Sequence, residues 1–183
     1  MRWLDVILAA LLFIVTVQPL PCDQSDSGDL GDQGGLETLI PKSPEQMGWQ
    51  AEEEPIITYD EETLSMVING AAGRYITLGT QRAAFVNYEQ KQVYMMIEIY
   101  ETVSKAHSQK LYDEFASDAS APVQHLGNTA RSTAELGGGY MVEYIQDRFF
   151  VRASVSRKTD ASQKALAACT EEISGRISKS GSH

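Results

Sequence analysis

The chain has 183 residues, 43% of them hydrophobic, a formal net charge of −10 and two cysteines; that length supports one domain with one core, and two cysteines exclude a disulfide framework. The charge is uneven, because residues 23–62 hold 12 acids against one lysine, net −11, whereas residues 63–183 hold 12 acids and 13 bases, net +1. The acidity therefore belongs to one segment, and the near-neutral remainder lacks the concentrated basic face that nucleic-acid binding requires.

The chain starts with Arg2 followed by the uncharged run "VILAALLFIVTV", Val6–Val17. About 20 apolar residues are needed to span a bilayer, so a run of this size reads as the h-region of a signal peptide, covering residues 1–22. The run ends in "QPLPC", which puts Cys22 where a lipoprotein signal carries its acylated cysteine, although Leu20 and Pro21 are not the small residues usual before it. Lipid anchoring at Cys22 and simple cleavage both stay open. Residues 23–57, beginning "DQSDSGDLGDQGG", are rich in Gly, Asp and Ser and read as an acidic flexible tether. Within it, "AEEEP" reads as a solvated charge run rather than a cation site.

Residues 58–178 read as a single α+β domain, and 179–183 as a disordered tail. In "YDEETLSMVINGAAGRYITLG", Asp60 is placed as an N-cap, and Leu64, Val67, Ile68, Ala71, Ala72 and Tyr75 recur at helical spacing. "RAAFVNY" and "QVYMMIEIYET" form a hairpin across "EQK". A second helix follows, with Val103, His107, Leu111 and Phe115 at steps of four. Then come "PVQHL", a break at Gly137–Gly139, "YMVEYIQ", a tight turn at Gln146 and Asp147, and "RFFVRASVS". A final helix carries Leu166, Cys169, Ile173 and Ile177 on one stripe, which makes Cys169 a core thiol rather than a nucleophile. The order α-β-β-α-β-β-β-α, with three or four strands after the second helix, describes an antiparallel sheet with helices packed on it.

The succession of "INGAAGRYITLG", the hairpin "FVNYEQKQVYMMIEIYE", the helix with "KLY" and the late "GGYMVEYIQDRFFVRASV" resembles an uncharacterised family of exported bacterial proteins classed as a domain of unknown function. In that family an Ile-Asn-Gly-Gly-Ala helix precedes the hairpin, and an Arg-Tyr-Tyr-Val-Arg type of strand precedes the last helix. The resemblance covers about residues 58–177. It implies export to the periplasm or cell envelope and supplies no catalytic residue to carry over.

The pair Gly70 and Gly73 behind Asn69 invites comparison with a phosphate loop, but both lie inside a helix pattern and no lysine follows, as a P-loop requires. Gly70 is expected to be a packing glycine approached by a neighbour, and Asn69 a structural amide. His107 and His125 have no partner at metal-ligand spacing, and no nucleophile elbow or cofactor fingerprint is present; no metal or cofactor is expected. Strand parity supplies the one polar constellation: Glu98, Glu143 and Arg152 share the less apolar sheet face with Tyr94 and Tyr100. A half-solvated cross-strand ion pair and a polar binding site are its two readings. Two functions follow: a non-catalytic binding module of the envelope, recognising an envelope protein or a small molecule and meeting the membrane only through a lipid anchor, or an envelope hydrolase using Glu98 and Glu143 as acid and base. The first is favoured, since no catalytic group is identifiable.

Overall fold

The computed structural model describes residues 35–134 and 137–180. The apolar run, Cys22 and residues 23–34 lie outside them. In chain order the elements are a 3₁₀ turn at Leu36–Leu39, α1 (Ser43–Gln46), β1 (Gln50–Ala51), β2 (Ile56–Thr58), α2 (Glu61–Ile68), a 3₁₀ turn at Asn69–Ala71, α3 (Ala72–Thr77), β3 (Thr80–Gln90), β4 (Val93–Thr102), α4 (Lys105–Glu114), β5 (Ala121–Val123), β6 (Thr129–Ala134), β7 (Tyr140–Gln146), β8 (Phe149–Val155) and α5 (Asp160–Ser180). The fold is α+β. Its antiparallel sheet runs β3-β4-β8-β7-β6-β5, with β1 and β2 both paired to the outer side of β3.

The two central hairpins close on residues that accept a left-handed backbone. Lys91 and Gln92 join β3 to β4 at φ 51° and 62°, the two-residue geometry that matches strand twist. Asp147, at φ 51°, opens the turn between β7 and β8, so that turn sits one residue later than the expected Gln146–Asp147. Four strands follow α4, the upper end of the three or four expected. The extra one is β6, whose sequence "TARSTA" carries no run of β-branched or aromatic residues to announce it.

Asp60 caps α2 as expected: its Oδ1 accepts the Thr63 N–H at 2.8 Å while Thr63 Oγ1 accepts the Asp60 N–H at 3.3 Å. The helix does not run through to Tyr75. Asn69 takes φ 53° and ψ −142°, a positive-φ conformation outside the left-handed helical region, and the chain turns before α3. The expectation for Gly70 is overturned: a Cβ added there would meet nothing within 4 Å, and both Asn69 and Gly70 are exposed. Gly79, nine residues on, does pack. At φ +98°, its added Cβ would lie 2.4 Å from the His107 ring, which is itself held by Ser104 Oγ against Nδ1 at 2.9 Å.

Alternation along the strands produces two core layers rather than one. On one face, Val86, Met95, Ile97, Ile99, Val142, Val151 and Ala153 meet Leu166, Cys169, Ile173 and Ile177 of α5. On the other, Ala83, Phe85, Tyr100, Ile145 and Phe150 meet Leu64, Ala72 and Tyr75 of the α2–α3 segment and Leu111 of α4. Cys169 is fully buried and free, with its Sγ 3.6 Å from Met95 Sδ; burial pushes its thiol up to about 12.

The tether expected over 23–57 is corrected for residues 35–57, which fold onto the domain. Leu36, Leu39 and Trp49 are buried in the α5-side core. Glu172 of α5 accepts the backbone N–H groups of Lys42 and Ser43 at 2.9 to 3.2 Å, Arg176 donates to the carbonyls of Thr38 and Ile40, and Tyr88 donates to the Pro41 carbonyl at 2.8 Å. At the other end α5 includes Lys179 and Ser180, which corrects the expected tail at those two residues; 181–183 lie outside the described residues.

Candidate functional site

Register brings Glu98, Glu143 and Arg152 together. Glu98 lies opposite Arg152, Arg152 opposite Glu143, and Glu143 opposite Arg131. One transverse row therefore crosses β4, β8, β7 and β6 with the charge order minus, plus, minus, plus. Arg152 donates through Nε to Glu143 Oε1 at 2.8 Å, and its Nη2 lies 2.8 Å from the same oxygen. Arg131 Nε donates to Glu143 Oε2 at 2.7 Å. Both oxygens of Glu143 are thus occupied by guanidinium groups, with the residue 1% exposed.

The Glu98 end is different. Its Oε2 accepts the Tyr100 hydroxyl at 2.5 Å and lies 3.6 Å from Arg152 Nη1, while among the described residues Oε1 has no hydrogen-bond partner. Burial pushes the Glu98 carboxyl up from its ordinary value, against the lowering influence of Arg152 and of the Tyr100 hydrogen bond. For Arg152 burial acts the other way, but Glu98 above all, then Tyr75 and Glu143, outweigh it and raise the guanidinium further. Arg152 stays charged.

Aromatic rings cover the row. Tyr75 accepts from Arg152 Nη1 at 3.1 Å and stacks between Tyr100 and Phe115, with centroids 4.7 and 4.9 Å away. Phe115 lies 4.9 Å from the Arg152 guanidinium, and Tyr112 of α4 lies 4.0 Å from that of Arg131. The half-solvated ion pair expected from the sequence is therefore a helix-covered, desolvated one. Tyr100 belongs to it, fully buried. Tyr94 does not: it shares the face but lies beyond the helices, 49% exposed, beside Met96 and Ser154.

Where the covering helices stop, a groove of about 220 Å³ opens against the Glu98 end of the row. Ile56, Val67, Ile68, Phe85 and Met96 supply its apolar lining, with Asn87, the partly buried Glu98 and the exposed Glu53 and Glu54 as its polar members; no lysine or arginine lines it. Arg131, Tyr75 and Tyr112 were not singled out by the sequence. Arg131 is hidden by the weak β signal of its strand, Tyr75 reads simply as a member of a helical stripe, and Tyr112 stands beside the stripe of its helix, within "KLY". Among the described residues no group of three or more His, Cys, Asp or Glu is arranged to hold a metal ion, and no helix is long and apolar enough to cross a membrane.

No protein-family model matches the chain, so the resemblance to an exported bacterial family rests on its motifs alone. The comparison with curated proteins gives no match either. Among solved structures the chain is similar to the extracellular domain of PknH from Mycobacterium tuberculosis, at 11% identity over 75% of this chain and 93% of that one, with a TM-score of 0.43.

Proposed function

We propose that the protein is exported, held at the cell envelope by its N-terminal tether, and acts there as a non-catalytic interaction module that presents the α2–α4 side of its sheet. The signal-like run Val6–Val17 and the Cys22 position support export and anchoring. The observation that carries the non-catalytic reading is the state of Glu143. A general base needs a free lone pair within reach of a substrate proton, and both Glu143 oxygens are held by arginines beneath helices. A pair of carboxylates flanking an open cleft, as glycoside cleavage by Glu98 and Glu143 would need, is not what these two residues form.

The test is made on the full chain, tagged at its C-terminus and expressed in its own host. Expected are an envelope-fraction protein that lacks residues 1–21 or more, movement from the detergent to the aqueous phase on Cys22→Ser where Cys22 is acylated, and recovery of a stoichiometric partner by affinity capture. A cytoplasmic protein whose first 22 residues are intact by mass spectrometry overturns the reading. A saccharide-releasing activity lost in both Glu98→Gln and Glu143→Gln would establish the hydrolase instead.

A further inference from the structure

We propose that the groove beside Glu98 is a docking site for a lysine side chain of a partner protein, with the ammonium group meeting Glu98 Oε1 and the alkyl stem lying along Ile56, Val67, Phe85 and Met96. The inference rests on the interaction-module reading and deepens it by stating what the partner must present. Four observations select this occupant.

The first is size. Small-molecule and cofactor pockets run from about 300 to 1,000 Å³, and this groove has about 220 Å³. It suits one long side chain rather than a cofactor. The second is the distribution of polarity. Aliphatic and aromatic side chains line it together with the partly buried Glu98 carboxylate, which matches a side chain whose stem is apolar and whose tip is charged. The third is sign: three carboxylates and no cation line the groove, and the mouth is flanked by exposed apolar residues, Ile56 at 44% and Met96 at 42%, that would cover apolar neighbours of the inserted residue. An anionic lipid surface would be repelled by Glu53 and Glu54.

The fourth observation separates lysine from arginine. Arginine prefers both oxygens of a carboxylate in a planar fork. Glu98 offers one, because Oε2 is taken by Tyr100 and faces Arg152. A point-like ammonium needs only one, and Oε1 is the oxygen that no side chain among the described residues takes.

The probes are acetylated and amidated tripeptides, Leu-Lys-Leu, Leu-Arg-Leu and Leu-Gln-Leu, titrated into the full-length protein while the Met96 methyl and Phe85 ring resonances are followed. Expected is saturable binding of Leu-Lys-Leu that shifts those resonances, weakened about tenfold in Leu-Gln-Leu, as loss of one charge-assisted hydrogen bond implies, and weaker for Leu-Arg-Leu than for Leu-Lys-Leu. Glu98→Gln should erase the preference for lysine. Since Glu98 also supports the ion row, a second variant guards against misfolding: Met96→Lys, at an exposed position, should abolish binding while leaving the melting temperature unchanged. Equal binding of the three peptides, binding unaltered by Met96→Lys, or binding only to phosphatidylcholine and phosphatidylglycerol vesicles would overturn the proposal. Partner capture that succeeds from the envelope and is indifferent to both variants would remove this groove as the docking site while leaving the interaction module standing.

Discussion

The two faces of the sheet are made by the same strands and differ in almost everything else. The α5 face is a continuous, largely apolar core without an ionic row, with Cys169 as an inert filler and the N-terminal arm packed against its edge. The α2–α4 face holds a buried ionic row, stacked aromatics and an uncovered end with a groove. The lesson is a division of labour along a period of two: odd and even positions of β4 and β8 meet different environments, so one face stabilises the domain while the other is free to carry unlike charges at a cost in desolvation.

The largest effect that tests this contrast is expected from Glu143→Gln. It leaves Arg131 and Arg152 buried without their shared counter-charge, which costs about 3 to 5 kcal/mol, and it should disturb the groove next to Glu98. A chemical-denaturation midpoint close to wild type would place the row in water after all and break the comparison. Ile173→Ala, on the α5 face, removes buried apolar volume and should cost about 2 to 5 kcal/mol. Here the groove should respond as in the wild type, provided the variant is assayed well below its melting temperature.

Acid separates the faces more finely. Glu172, beside the arm, is held below its ordinary value of 4.5: burial opposes this, but the N–H groups of Ser43 and Lys42, and then Arg176, prevail. Its stabilising contribution is present above 4.5 and is lost as the pH falls through the lower folded value. Glu98 has the opposite sign. Burial raises it from 4.5, so the folded protein takes up a proton first, and stability is gained as the pH drops through the raised value, the gain being complete near 4.5. Melting curves should therefore show Glu98→Gln losing an acid-side gain above pH 4.5, and Glu172→Gln losing part of the acid-side fall below it. If neither variant changes the pH profile, these contacts are not made in solution.

The smallest effect sharpens the contrast within one segment. Gly70 faces open space and does not need a left-handed backbone, so Gly70→Ala should leave the melt unchanged or stabilise by about 0.4 to 1 kcal/mol through the unfolded chain. Gly79→Ala should be clearly destabilising, since φ +98° and the His107 ring both resist a Cβ.

How much of this was legible follows from which signals are local. The face shared by Glu98, Glu143 and Arg152 is fixed by alternation alone, whatever the order of the strands, and the helix carrying Cys169 announces itself through spacings of 3 and 4. The helices that cover the row are not local information, and without them the pair looked half-solvated. Arg131 escaped because "TARSTA" has little β propensity of its own and is a strand by virtue of its neighbours. Leu36, Leu39 and Trp49 escaped because they sit in a stretch whose average composition is that of a linker; three well-placed apolar residues outweigh an acidic surround once a helix offers them a partner. The break at Asn69 was masked because helical spacing of apolar residues continues across it.

The alternating row has a consequence for assembly of the sheet. Sliding β8 by two residues against β7 keeps every side chain on its proper face and spoils little apolar contact, which makes it the error that hydrophobic patterning alone corrects least well. With the row present, that slip sets Glu143 against Ser154 or Phe150, and Arg152 loses Glu143; the equivalent slip of β6 sets Arg131 against Ile145 or Met141. Each misalignment strands a charge beneath the helices, whereas the native alignment pairs all four at once. The four side chains act as a key cut across the strands, rejecting wrong alignments that greasy side chains would accept.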